Sequence, residues 1–73
     1  MRAQDRPETT NFDRAERIYR VGLIYGQRTG ESDGETILTD MLADMMHEAD
    51  QQGYDWQEIA RRARGYYEEE VGA

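Results

Sequence analysis

The sequence predicts an all-α domain of three helices, and three observations carry that prediction. Apolar residues recur at helical spacing in three separate windows. Short polar segments with capping residues and glycines divide those windows. The chain has 73 residues, room for one small domain and no second. Such a chain buries only about 60% of its unfolded surface, so its stability is expected to be thin or to depend on a partner.

Residues 1–10 are polar, carry the single proline, Pro7, and have no period; they are expected to form a flexible N-terminal tail ahead of one helical domain over 11–73. The first helix is expected over about 11–28. Thr10 or Asn11 stands where a cap is wanted, and Asp13, three after Thr10, completes a capping-box spacing. Phe12, Ala15, Ile18, Tyr19, Gly22 and Tyr25 share one face, with Arg14, Arg17 and Arg20 on the other side. Gly22 and Gly26 each weaken a helix by up to ~1 kcal/mol. Four apart on the buried face, they admit a close neighbouring helix.

Gly30-Glu31-Ser32-Asp33-Gly34 reads as a turn, and Ser32 with Glu35 has capping-box spacing. The second helix is expected over about 33–52. Ile37, Leu38, Met41, Leu42, Met45, Met46 and Ala49 form a broad apolar stripe, with Asp33, Thr36, Asp40, Asp44, His47 and Gln51 opposite. Gly53 suits a left-handed C-cap. The third helix is expected over about 55–70, capped by Asp55 with Glu58, and with Tyr54 placed to staple onto Ile59. Trp56, Ile59, Ala60, Ala63 and Tyr67 share its apolar face, and Val71-Gly72-Ala73 should fray. The three-residue link makes the second and third helices an expected antiparallel hairpin, with the first packed across them.

Composition narrows the function. There is no cysteine, hence no disulfide, thiolate zinc site or cysteine nucleophile. The net charge of −7 disfavours direct contact with nucleic acid or with an anionic membrane. No run approaches the ~18 apolar residues of a membrane span, and the first residues lack a signal-peptide apolar core, so a cytoplasmic location is expected. All nine basic residues are arginine. Residues 1–30 hold six arginines against four carboxylates, a net of +2; residues 31–73 hold three against twelve, a net of −9. The acidity therefore lies on the second and third helices.

Asp40, Asp44 and His47 share one face at i, i+4 and i+7, a spacing at which carboxylate and imidazole could hold a metal. With a single histidine the plainer reading is a solvated polar face, and no metal, cofactor or catalytic residue is expected. Asp40, Asp44 and Glu48 form a carboxylate ladder, preceded by Glu31, Asp33 and Glu35. Rungs ~6 Å apart approach the spacing of phosphates along a nucleic-acid strand. Glu68-Glu69-Glu70 lies near a helix C-terminus, where the macrodipole disfavours it. Partner binding is one reading of both acidic groups; solubility and a solvated helix end are the plain ones. Val21, Ile24 and Tyr66 fit no main face and are the candidates for self-association.

The run Thr39-Asp40-Met41-Leu42-Ala43-Asp44-Met45-Met46-His47-Glu48-Ala49-Asp50, then Gly53-Tyr54-Asp55-Trp56, then Ala63 and Tyr67 with Glu68-Glu69-Glu70 resembles a class of small acidic helical proteins encoded by phages, prophages and plasmids. The resemblance covers about residues 39–70 and implies a mobile-element setting. In strategy such proteins are similar to anti-CRISPR proteins, some of which act as nucleic-acid mimics. Size, acidity, the missing catalytic residues and the helical acidic ladder are compatible with that strategy, so a non-enzymatic inhibitor is the first expectation. Its partner would be a host protein or complex with a basic nucleic-acid groove, such as a CRISPR-Cas effector, met by Asp40, Asp44, Glu48, Glu68, Glu69 and Glu70. The alternative expectation is a small helical accessory subunit of a phage or plasmid assembly, a homodimer through Val21, Ile24 and Tyr66.

Overall fold

A computed structural model describes residues 9–72, and these form three α-helices with no strand among them: α1 (Asn11–Thr29), α2 (Gly34–Gln52) and α3 (Trp56–Gly72). The expected N-terminal tail lies outside the described residues apart from Thr9 and Thr10. Thr10 is the cap of α1: its hydroxyl accepts from the Asp13 N–H at 3.1 Å, and its own N–H donates to the Asp13 carboxylate at 3.0 Å. This reciprocal box satisfies two backbone donors that a helix start would otherwise leave free. The same contacts, led by the Thr10 backbone N–H, hold the Asp13 carboxyl below the ordinary carboxylate range.

Helix α1 ends at Gly30, whose φ of 79° is left-handed, and its N–H returns to the Gly26 carbonyl at 2.8 Å. The cap of α2 is Asp33 rather than the expected Ser32. The Asp33 carboxylate accepts from both the N–H and the hydroxyl of Thr36, at 3.0 and 2.7 Å. A carboxylate satisfies two donors there and also meets the positive end of the helix dipole, which a serine does not. Gly53 closes α2 at φ 73°, and the Tyr54 N–H reaches the Ala49 carbonyl at 2.9 Å. At the start of α3 the Asp55 carboxylate accepts from the Glu58 N–H at 3.3 Å. Helix α3 continues through Gly72 where fraying was expected from Val71 onward. Tyr54, ahead of α3, is largely exposed, and Ile59 is half-buried.

Packing centres on α1 against α2, with a smaller contact between α2 and α3. Gly22 and Gly26 are buried, and they meet Ile37 and Met41. A Cβ at Gly22 would lie 3.4 Å from Ile37 Cγ2. One at Gly26 would lie 2.6 Å from the Glu31 carbonyl oxygen and 2.9 Å from Ile37 Cδ1. The glycine pair thus brings the two helices together as its spacing predicts. Helix α3 contacts α2; Ala49 of α2 is 2% exposed, and Trp56 and Ile59 in α3 are half-buried. Its last turn meets the first turn of α1: the Asn11 side-chain amide donates to the Glu70 carbonyl at 3.0 Å, and Arg14 Nε pairs with the Glu70 carboxylate at 3.0 Å.

The core is smaller than the apolar stripes predict. Among the described residues its buried apolar side chains are Ile37, Met41 and Ala49. Phe12, expected on the buried face of α1, is 75% exposed. Ile18 and Tyr19 on α1, Leu38, Leu42, Met45 and Met46 on α2, and Tyr67 on α3 are also exposed. The helical period identifies the apolar side of each helix correctly. Within one chain there is not enough second layer to cover it.

The two glycines make a paired test. Gly26→Ala should destabilise by about 1–3 kcal/mol, because a backbone carbonyl and a packed isoleucine must both move. Gly22→Ala should be neutral or stabilise by up to ~1 kcal/mol, since it gains helix propensity at ordinary contact distance. Urea unfolding at one fixed chain concentration reads both, and equal effects would remove the close approach at Gly26 as a determinant.

Candidate functional site

Helix α2 carries Glu35, Asp40, Asp44, Glu48 and Asp50 and no arginine or lysine. The arginines among the described residues lie on the other two helices, where several are neutralised locally. On α1, Arg20 pairs with Glu16 at 2.6 Å, one turn away. On α3, Arg61 and Arg62 both reach Glu58, at 2.6 and 3.6 Å, and Arg64 pairs with Glu68 at 3.5 Å while lying over the Tyr67 ring. The Arg61 hydrogen bond holds the Glu58 carboxyl below its ordinary range, and Glu58 pushes the Arg61 guanidinium up. Among the described residues no ion pair involves Asp40, Asp44 or Glu48.

The structure places Asp40, Asp44 and Glu48 in one row along α2, at successive turns. Asp40 is half-buried; Asp44 and Glu48 are exposed. The row is not wholly free of internal contacts. The Tyr25 hydroxyl, from the late part of α1, donates to the Asp44 carboxylate, and the Gln52 amide approaches Glu48 at 3.5 Å. The Asp44 hydrogen bond, with partial burial and the nearby Asp40 charge, pushes the Tyr25 phenol up to about 12. This α1–α2 contact was not anticipated from sequence. The available signal was a tyrosine on an apolar helix face, since a phenol held there needs a partner for its O–H.

Glu68, Glu69 and Glu70 do not join that row. Glu70 meets α1 at Arg14, whereas Asp44 meets it at Tyr25. Eleven helical residues separate those two positions, about 16 Å at 1.5 Å per residue. Arg14 and Glu70 side chains are each only 17% exposed. Glu70, expected to face a partner, is therefore occupied as the clamp that ties the end of α3 to the start of α1. Glu68 and Glu69 are exposed beside it. Of the self-association candidates, Val21 and Ile24 are exposed on the side of α1 away from its buried glycines, and Tyr66 is exposed on α3.

Among the described residues no group of three or more histidine, aspartate and glutamate side chains is arranged to hold a metal ion, and His47 is exposed. No described helix is long and apolar enough to cross a membrane. No family model, curated protein or solved structure matches the chain.

Two outcomes test this geometry. In an alkaline titration followed by tyrosinate absorbance, one of the five tyrosines should ionise near pH 12, and Tyr25→Phe should remove that late phase. The phenol's folded value lies above its ordinary 10, so its hydrogen bond contributes fully below pH 10 and is lost as pH rises toward 12. Separately, Glu70→Gln should cost about 1–2 kcal/mol of stability and speed hydrogen exchange at the end of α3, while Glu68→Gln should change neither.

Proposed function

We propose that this protein is a non-enzymatic inhibitor from a mobile genetic element, acting in the manner of anti-CRISPR proteins. It binds a basic nucleic-acid site on a host defence complex through the carboxylate row Asp40, Asp44 and Glu48, and so occludes that site. The observation that carries the reading is the segregation of charge. Helix α2 holds five carboxylates and no cationic side chain other than what His47 can supply, while arginines on α1 and α3 are paired with carboxylates one turn away.

Like charges at i, i+4 cost a few tenths of a kcal/mol each. The row therefore adds little to the fold. Facing an arginine-rich groove it gains complementary Coulomb attraction, which speeds encounter and selects partners by charge. Glu68, exposed though paired with Arg64, and Glu69 lie apart from that row as a lesser acidic edge; Glu70 is left out of the contact because it is held by Arg14. A helical accessory subunit working by self-association is the second reading, favoured by the uncovered apolar side chains of α1 and α2.

The test uses purified CRISPR effector complexes and the electrophoretic mobility of their nucleic-acid target. The wild-type chain should reduce target binding, with an effect that weakens as salt rises. Asp40→Asn, Asp44→Asn and Glu48→Gln together should abolish it while circular dichroism stays unchanged. The amide at position 44 can still accept from Tyr25, so the α1–α2 contact survives the charge removal. Inhibition that persists in the triple variant overturns occlusion by the acidic row. A wild-type chain without effect on any effector overturns the inhibitor reading.

A further inference from the structure

Independently of that function, the apolar side of the α1–α2 pair leaves an open groove of about 520 Å³. Ile18, Tyr19 and Leu23 of α1 form one wall and Leu38 of α2 the other, over a floor of Gly22 and Ile37. No lining residue carries a charge, on a chain of which 34% is charged. Leu42 and Met46 extend the wall of Leu38 along α2 at successive turns and are exposed in the same way. We infer that this face is the interface of a homodimer, in which the Leu38–Leu42–Met46 ridge of each copy seats against the α1–α2 groove of the other.

Three arguments select a second copy as the occupant. The first is area. Ile18, Tyr19, Leu23, Leu38, Leu42 and Met46 are between 43% and 66% exposed. With an aromatic side chain at roughly 200 Å² and the aliphatic ones below that, they offer at most about 600 Å² per chain before any rim is counted, the larger part of the ~800 Å² per partner of a standard-size interface. The second is need. Ile37, Met41 and Ala49 are the buried apolar side chains among the described residues, a small core whose stability is expected to be coupled to a cover present at the chain's own concentration, as another copy is. The third is shape. The same surface carries both a ridge and a glycine-floored groove, and at Gly34, on the rim, nothing lies within 4 Å of where a Cβ would stand. A two-fold interface requires such a self-complementary surface. Pairing the faces turns two open two-helix layers into a four-helix arrangement with a shared core.

On α2 the Asp40–Asp44–Glu48 row lies on the opposite side from the Leu38–Leu42–Met46 ridge. The dimer therefore leaves both acidic rows outward, and its formation is testable without reference to their partner. Sedimentation equilibrium of the wild-type chain should give twice the 8.5 kDa chain mass. Its thermal midpoint should rise with chain concentration over two orders of magnitude, as for any fold whose stability is coupled to association. Leu38→Glu with Leu42→Glu should abolish the dimer, leaving either a folded monomer or an unfolded chain. Val21→Glu with Ile24→Glu, on the far side of α1, should preserve it. A wild-type monomer with a concentration-independent midpoint overturns the inference. So does a dimer that survives Leu38→Glu with Leu42→Glu, or one lost only on substitution at Val21 and Ile24.

Discussion

The close approach of α1 and α2 at Gly26 is the constraint on which the remaining structure depends. The Glu31 carbonyl oxygen, from the connection after α1, and the Ile37 methyl of α2 occupy the space a Cβ would fill, so the Ile37 side chain packs directly on the backbone of α1 at that end. Such an approach buries side chain from one helix only, Ile37 and Met41 of α2, because the glycines of α1 have none. It does fix the register between the two helices. That register sets Tyr25 opposite Asp44, and it leaves Ile18, Tyr19 and Leu23 on one side of the seam with Leu38 facing them across an open groove. The third helix does not close that groove. It contacts α2, and its last turn is tied to the start of α1 by Arg14 and Asn11.

Charge obeys a separate logic. Arginine pairs at one-turn spacing on α1 and α3 are local, exposed and individually weak, yet together they use up cationic charge within their own helices. Arg14 differs: with 17% exposure on each partner, its pair with Glu70 is a tertiary tie. It offsets the unfavourable position of a carboxylate at a helix C-terminus, which the sequence alone leaves unexplained. Helix α2, with no arginine of its own, is left as the uncompensated acidic element. The net charge of −7 is thus not a diffuse property of the surface but the charge of a particular helix and of the end of its neighbour.

What was legible in the sequence was local. Thr10 with Asp13, Gly30, Gly53 and Asp55 place helix ends through contacts within four residues, and those ends fall within two residues of the expected bounds. The capping-box spacing puts the cap of α2 one residue early, at Ser32, because Glu35 stands three positions on; the hydrogen bonds from Thr36 place it at Asp33. What was not legible was everything that depends on register between helices. Periodicity reports which side of a helix is apolar, not what lies against it. Hence Leu38, Leu42 and Met46 read as core and stand exposed. Glu70 read as a docking residue for the same reason, since its clamp to Arg14 joins residues 56 positions apart.

The exposed stripe and the glycine contact are consequences of one another. Larger residues at 22 and 26 would hold α1 and α2 further apart, and side chains between them could then form a core inside one chain. With glycines there, the interhelical space closes, and the apolar residues flanking it are turned to one outer side. A stripe left outside at full helical periodicity is a continuous surface, not a scatter of single hydrophobic residues, and continuity is what distinguishes an interface from ordinary exposed apolar area. The acidic row occupies the other side of the same helix. Covering the stripe with a second copy therefore completes the missing core without burying one carboxylate of that row, and it presents the row twice on a single particle.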